Sequence, residues 1–300
     1  MKVQIPADVP RDKEKTYLAN YKLATKNTGK LMLFAGDQRV EHLNDDFYGE
    51  GISPEDATPK HLFDIASKAK IGLFATQFGL MNRYAREYPK IPYLVKLNSK
   101  THLVKTDQID PVSRAWFSVT QVVDSARKAG ITVVAVGYTV YLGSEFENDM
   151  LIEAAQIVHE AHKHGLLAVI WMYPRGKAIV DELDPHLIAG AADVASALGA
   201  DFIKVNYPRS FGQSQALAFK EAILAAGNSG VICAGGSSTD AREFLQVLHD
   251  QIHISGARGN ATGRNVHQKS LKEAVAFCNA IYAIVVEGKS VDQAYKLMEK

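Results

Sequence analysis

The sequence predicts an α/β fold of the (β/α)8 barrel type, and three observations carry that prediction. Short apolar, β-branched runs alternate with longer segments of helical period. Eight such runs can be counted along the 300 residues. No Gly-rich dinucleotide turn follows the first of them. Eight βα repeats fill a closed parallel barrel, whereas an open doubly wound sheet uses fewer strands and opens with that turn.

The strand candidates are Leu31 to Asp37, Ile71 to Gln77, Tyr93 to Asn98, Thr132 to Tyr138, Leu167 to Tyr173, Phe202 to Tyr207, Gly230 to Gly235 and His253 to Gly259. The last is the weakest, because Gly256-Ala257-Arg258-Gly259 has little strand propensity. Helical period places helices over Pro59 to Lys70, Asp110 to Ala129, Glu145 to His164, Asp184 to Leu198, Ser214 to Ala226 and Ser238 to Leu248. Ser237-Ser238-Thr239-Asp240 supplies capping side chains for the last of these. Asn44 to Thr58 is polar and reads as a long loop after the first strand, hanging over the face where barrels place their chemistry. Ser270 to Lys300 reads as one or two closing helices, and no linker-like stretch divides residues 1–300, so one domain is expected.

Composition excludes several function classes. With 47% hydrophobic and 22% charged residues and a net charge of +1, the chain has no global field to gather nucleic acid or an anionic membrane. Any anion site must be local. No apolar run reaches membrane-spanning length, and Met1-Lys2-Val3-Gln4-Ile5-Pro6 lacks the apolar core of a signal peptide, so a cytoplasmic setting is expected. Cys233 and Cys278 have no metal or redox spacing and read as buried free thiols.

The chemistry of a barrel is carried by polar residues at its strand ends. Period-two alternation puts Phe202 and Lys204 on one face of the sixth strand, and if that face points inward Lys204 lies inside the barrel. Burial disfavours an ammonium, so such a lysine is either a nucleophile or the partner of a buried carboxylate. The fifth strand ends Trp171-Met172-Tyr173-Pro174-Arg175-Gly176, offering Tyr173 for proton transfer and Arg175 for a phosphate, although aromatics at strand ends also serve packing. The first strand ends Asp37-Gln38-Arg39-Val40-Glu41-His42, compatible with acid/base work or a solvated loop; with no second His/Asp cluster at ligand spacing, a metal is not expected. Lys96 and Asn98 share a face at the end of the third strand, where Lys96 is placed to hold a substrate charge, depress the pKa of a nearby lysine, or pair with Asp37. Gly235-Gly236-Ser237 and Gly263-Arg264 fall in the two loops where barrels usually bind phosphate, with backbone N–H groups exposed by glycine and a guanidinium for bidentate contact.

Taken in order, these segments resemble the archaeal-type class I fructose-bisphosphate aldolases, within the superfamily that includes deoxyribose-phosphate aldolase. The likeness spans Lys30 to Gln268 and rests on six motifs: Asp37 to His42, Lys96 to Thr101, Val136 to Ser144, Trp171 to Gly176, Gly199 to Lys204, and Gly263 to Val266. The resemblance implies an enzyme without a cofactor, working on a phosphorylated sugar and assembled with copies of itself. It implies Lys204 as the Schiff-base amine, Tyr173 as the proton-transfer residue and Asp37 as the carboxylate on a substrate hydroxyl. Trp171 would wall the site, and Gly235, Gly236, Ser237, Gly263 and Arg264 would hold the phosphate beside the carbonyl. Arg175, Lys96 and His42 would meet the rest of the substrate. Two departures from the family pattern stand out: Gln38-Arg39 stand where many members have His-Gly, and Asn206 stands where some superfamily members carry a second lysine. A sister aldolase or transaldolase-like enzyme on another sugar phosphate, such as aminodideoxyheptulosonate synthase, and a non-catalytic sugar-phosphate-binding barrel stay open as alternatives.

Overall fold

Eight parallel strands close into a barrel in sequence order in the computed structural model, which describes residues 3–209, 212, 214–236 and 240–299. The strands are β1 (Leu31–Ala35), β2 (Leu73–Gln77), β3 (Tyr93–Lys96), β4 (Val133–Leu142), β5 (Leu167–Pro174), β6 (Phe202–Val205), β7 (Gly230–Ala234) and β8 (Gly259–Thr262). Every residue of β1, β2, β3, β5 and β6 is buried, as expected of a parallel sheet covered by helices outside and side chains inside.

The helices are α1 (Glu14–Thr25), α2 (Gln38–Glu41), α3 (Lys60–Lys68), α4 (Phe78–Tyr84), α5 (Val119–Ala129), α6 (Glu147–Lys163), α7 (Pro185–Ala197), α8 (Gln215–Ala218), α9 (Lys220–Ala225), α10 (Ala241–Asp250), α11 (Arg264–His267), α12 (Leu271–Val285) and α13 (Val291–Tyr295). Their starts follow from capping chemistry. Ser118 and Gln121 form a reciprocal box on α5, so the helix expected from Asp110 begins only at Val119. Asp240 caps α10 by accepting from the N–H groups of Arg242 and Glu243; Ser237, Ser238 and Thr239 lie outside the described residues. The single helix expected over Ser214 to Ala226 is broken into α8 and α9. The closing helices appear as α12 and α13, and Phe277, Ile281 and Ile284 of α12 are buried.

The eighth strand lies elsewhere than the sequence suggests. Residues Gln251–Ser255 form a π-helical turn, anchored where Ser255 Oγ donates to the Ala216 carbonyl at 2.8 Å, and the strand follows at Gly259–Thr262. Three of its four residues, Gly259, Asn260 and Ala261, have poor strand propensity, but all four pair with β1 from Leu31 onward. Closure of the barrel overrides local preference there.

At the N-terminal end, α1 closes the barrel. Tyr21 stacks on Phe202 with ring centroids 5.7 Å apart, and the Tyr17 hydroxyl donates to Asp201, which precedes β6. His162, at the end of α6, is 1% exposed and sits between two carboxylates, with Nε2 3.2 Å from Asp201 and Nδ1 2.8 Å from Asp8. Burial alone lowers its pKa, but the hydrogen bonds and charges of Asp201 and Asp8 outweigh this and raise it above the ordinary value. A raised folded-state pKa stabilises fully below the unfolded value of about 6.5 and ceases to stabilise as pH rises through the folded value. His162→Gln is therefore expected to lose about 3 kcal/mol at pH 6, since removing one partner strands a buried carboxylate. The loss should shrink toward pH 9; equal denaturation shifts at both pH values would contradict the assignment.

Candidate active site

The C-terminal ends of β1, β5, β6, β7 and β8 enclose a cavity of about 180 Å³. Larger hollows of about 610 and 510 Å³ lie elsewhere, but no buried lysine lines either. The smaller one collects Asp37, Trp171, Tyr173, Arg175, Lys204, Gly235, Gly236, Gly263, Arg264 and His42, ten of the twelve residues singled out from the sequence. Lys96 lies below it, and Ser237 is outside the described residues. Strand register explains much of this convergence. Trp171 of β5 is level with Lys204 of β6, and alternation sends Tyr173 to the same side one step nearer the rim.

Lys204 is 6% exposed, and burial pushes its pKa below the ordinary lysine value against the opposing pull of Asp37 and Glu41. Its Nζ lies 5.2 Å from the centroid of the Trp171 ring system. Lys96 Nζ lies 4.9 Å from the same centroid, so one indole contacts two buried lysines. The indole fits because the neighbouring strand carries Gly137, where a Cβ would stand 2.6 Å from Trp171 Cζ3. Lys96 Nζ donates to Thr139 Oγ1 at 2.5 Å and to the Asn98 carbonyl at 3.2 Å. Burial pushes its pKa down to about 8. The pairing with Asp37 offered by the sequence is not formed: no carboxylate lies within 4.0 Å of Lys96 Nζ among the described residues, and Thr139 takes that place.

Asp37 stands where β1 gives way to α2, its carbonyl accepting from the Gln77 side chain and its buried Oδ1 without a hydrogen-bond partner. An unpartnered buried carboxylate oxygen facing a cavity is available to a ligand hydroxyl. Tyr173 is 9% exposed, and burial, reinforced by Glu41 and Asp37, raises its pKa well above the ordinary value. The phenol therefore keeps its proton at neutral pH.

At the β7 and β8 ends, Gly236 has φ +67°, and Asn265 Nδ2 donates to the Gly235 carbonyl at 3.1 Å. Gly263 is pressed against the end of β1, where a Cβ would stand 2.8 Å from the Ala35 carbonyl oxygen and 2.1 Å from Gln38 Nε2. Arg264 contacts the Gly236 carbonyl at 3.3 Å and Asp46 at 3.7 Å. His42 is 3.2 Å from Asp46, with its pKa lowered by burial. Across the cavity, Arg175 is held by Glu182 in a bidentate pair, with Nε at 2.9 Å and Nη2 at 2.8 Å, and its Nη1 faces Glu41 at 3.8 Å.

The loop after β1 is bound to the turn after β8 by a buried stack. The Arg39 guanidinium lies 4.0 Å from the Phe47 ring centroid, Phe47 stacks on His267 at 4.7 Å, and His267 Nδ1 meets Asp56 Oδ2 at 2.6 Å with both side chains fully buried. Arg39 has its place in this stack, and Gln38 and Asn206 line the cavity.

A family model, described as DeoC/LacD family aldolase, matches residues 31–269, from the first residue of β1 to just beyond α11. The chain belongs to the DeoC/LacD aldolase family. The resemblance read from the motifs is borne out, as is the closed barrel. A "Fructose-bisphosphate aldolase/6-deoxy-5-ketofructose 1-phosphate synthase" of Methanocaldococcus jannaschii is 60% identical over 98% of this chain and 94% of its own length. A solved fructose-bisphosphate aldolase from Slackia heliotrinireducens superposes with a TM-score of 0.97 at 54% identity, covering 99% of this chain and 94% of that one. An archaeal fructose-1,6-bisphosphate aldolase, solved with its catalytic lysine covalently bound to a carbinolamine intermediate, superposes with a TM-score of 0.75 at 32% identity, over 90% of this aldolase and 99% of that chain.

Reasoning from the sequence missed Glu182, which has no motif and lies in an irregular loop. It also overlooked Gln77, the last residue of β2, although the rule that polar strand ends face the site would have found it. Among the described residues no group of His, Cys, Asp and Glu is arranged to hold a metal ion, and no helix is long and apolar enough to cross a membrane.

Proposed function

We propose that this aldolase cleaves and forms fructose 1,6-bisphosphate through a Schiff base on Lys204, and that the released ketone is dihydroxyacetone phosphate. The observation that carries the reading is a buried lysine, its pKa lowered by burial, beside an indole and a carboxylate with a free oxygen in one cavity. The neutral amine attacks the ketone and loses water to give an iminium. Asp37 takes the proton of the hydroxyl whose carbon–carbon bond breaks, the bonding pair moves into the iminium, and an aldehyde leaves an enamine behind. Tyr173 donates its proton to the enamine carbon and is reprotonated from Asp37 through solvent, after which water hydrolyses the iminium. The glycine turns after β7 and β8, with Arg264, hold the phosphate next to the attacked carbonyl, and the same reading includes Ser237 there. The family points further to a cytoplasmic enzyme assembled from copies of itself, at the step between hexose and triose phosphates.

The test is borohydride trapping with dihydroxyacetone phosphate, read by intact mass and peptide mapping. One adduct on Lys204 is expected. A folded protein that forms none would leave a binding barrel or a different chemistry. The Methanocaldococcus relative's second printed activity gives a second reading, synthesis of 6-deoxy-5-ketofructose 1-phosphate, a sugar with one phosphate. It is favoured by the pairing of Arg175 with Glu182, which occupies a guanidinium of the same cavity that a second phosphate would need.

A further inference from the structure

The cavity has two electrostatically different ends. Lys204 of β6 lies between the glycine turns of β7 and β8 on one side and Arg175, which follows β5, on the other. A ketose whose phosphate sits in the glycine turns and whose carbonyl reaches Lys204 thus sends its far carbons toward Arg175. That guanidinium is not free. Glu182 accepts from it at 3.0 and 2.9 Å, Glu41 stands at 3.8 Å, and the cation rests 5.7 Å from the Tyr173 ring centroid and 5.9 Å from that of Tyr141. Lys100 is the other cation that senses Glu41 and Arg175, its Nζ donating to the Thr101 carbonyl at 2.9 Å. At this end both Glu182 and Glu41 stand against the Arg175 guanidinium.

We propose that Glu182, assisted by Glu41, is a specificity-determining residue that neutralises Arg175, so that aldehydes without a phosphate compete with phosphorylated ones for the far end of the site. The proposal rests on the aldolase reading above. A second phosphate arriving there must displace Glu182 from the bidentate fork and face Glu41 as well, whereas an uncharged aldehyde leaves the pair intact. Glu182 has a side chain 39% exposed and can swing into water, so phosphorylated substrates are disfavoured without being excluded. Glu182 touches no reacting atom in this scheme and acts through Arg175 as a positioning residue.

The experiment compares retro-aldol cleavage of fructose 1,6-bisphosphate with that of fructose 1-phosphate in the wild type, Glu182→Gln and Glu41→Gln. Freeing Arg175 should raise the ratio of kcat/KM for the bisphosphate to that for the monophosphate by about tenfold in Glu182→Gln, within the range of coupling between contacting charges. The gain should come from a lower KM for the bisphosphate and should diminish with added salt, because it is a charge effect at a partly exposed site. Glu41→Gln should move the ratio the same way by a smaller factor. A ratio unchanged in both variants, with both sugars cleaved, would overturn the role of Glu182 and leave the aldolase intact; a wild type that cleaves neither sugar would remove both readings together.

Discussion

Replacing Lys204 with Met is expected to lower aldol cleavage by at least about 10⁴-fold while leaving the barrel folded, because the covalent step has no other amine in position. Met matches the length of the lysine stem and suits the apolar surroundings, so circular dichroism and thermal midpoint should stay near wild type. Borohydride trapping should vanish with the activity. The informative failure concerns Lys96, which is also buried and 4.9 Å from the same indole. An adduct that moves to Lys96 in the variant, with turnover retained, would show the wrong lysine has been assigned. The pH dependence supplies a second reading of the wild type. A nucleophilic amine must be neutral, so kcat/KM should rise with pH and level off above a pKa lower than the ordinary lysine value of about 10.4.

Tyr173→Phe is the next largest effect expected, a loss of about 10² to 10⁴ in turnover, the usual worth of a positioned acid or base. Here the chemistry separates into stages. The iminium forms without the phenol, so trapping of dihydroxyacetone phosphate on Lys204 should persist. Exchange of the ketone's proton with solvent deuterium requires the group that protonates the enamine, so it should fall in step with turnover. Exchange continuing at the wild-type rate would assign that proton transfer to another residue and leave Tyr173 as a wall beside Trp171. Removing the hydroxyl leaves the ring under Arg175, so the cation–π contact is kept and the change isolates the proton.

What the sequence reveals here divides along a physical line. Strands β1 to β7 are legible because parallel strands buried on both faces are continuous apolar runs, and the site is legible because it sits where those runs stop. Alternation in the sequence fixes which residues share a face with Lys204 and with Trp171, and the pairing of β5 with β6 sets the two side by side. The eighth strand lies beyond the expected run because Gly259, Asn260 and Ala261 disfavour strands and the segment is held by pairing with its neighbours. The helix expected from Asp110 starts late because residues 110–118 instead run back across the strand ends, with Trp116 N donating to the Leu97 carbonyl at 2.9 Å. Glu182 was invisible for a different reason. An ion pair seven residues along an irregular loop leaves no period, cap or motif. It exists only through the path the chain takes after β5.

The buried stack of Arg39, Phe47, His267 and Asp56 has a consequence for when the enzyme comes into being. It joins the first strand's loop to the last strand's turn, the two parts of the barrel made furthest apart in time during synthesis. Ala35 and Gln38 are laid down early, but Gly263, which is pressed against both, emerges more than 200 residues later. A nascent chain that has already formed the lysine-bearing sixth strand still has an open seam beside it. Lys204 is present in such a chain, but the burial that lowers its pKa is not yet complete. The environment that sets the chemistry of that amine thus arrives with the same residues that close the barrel.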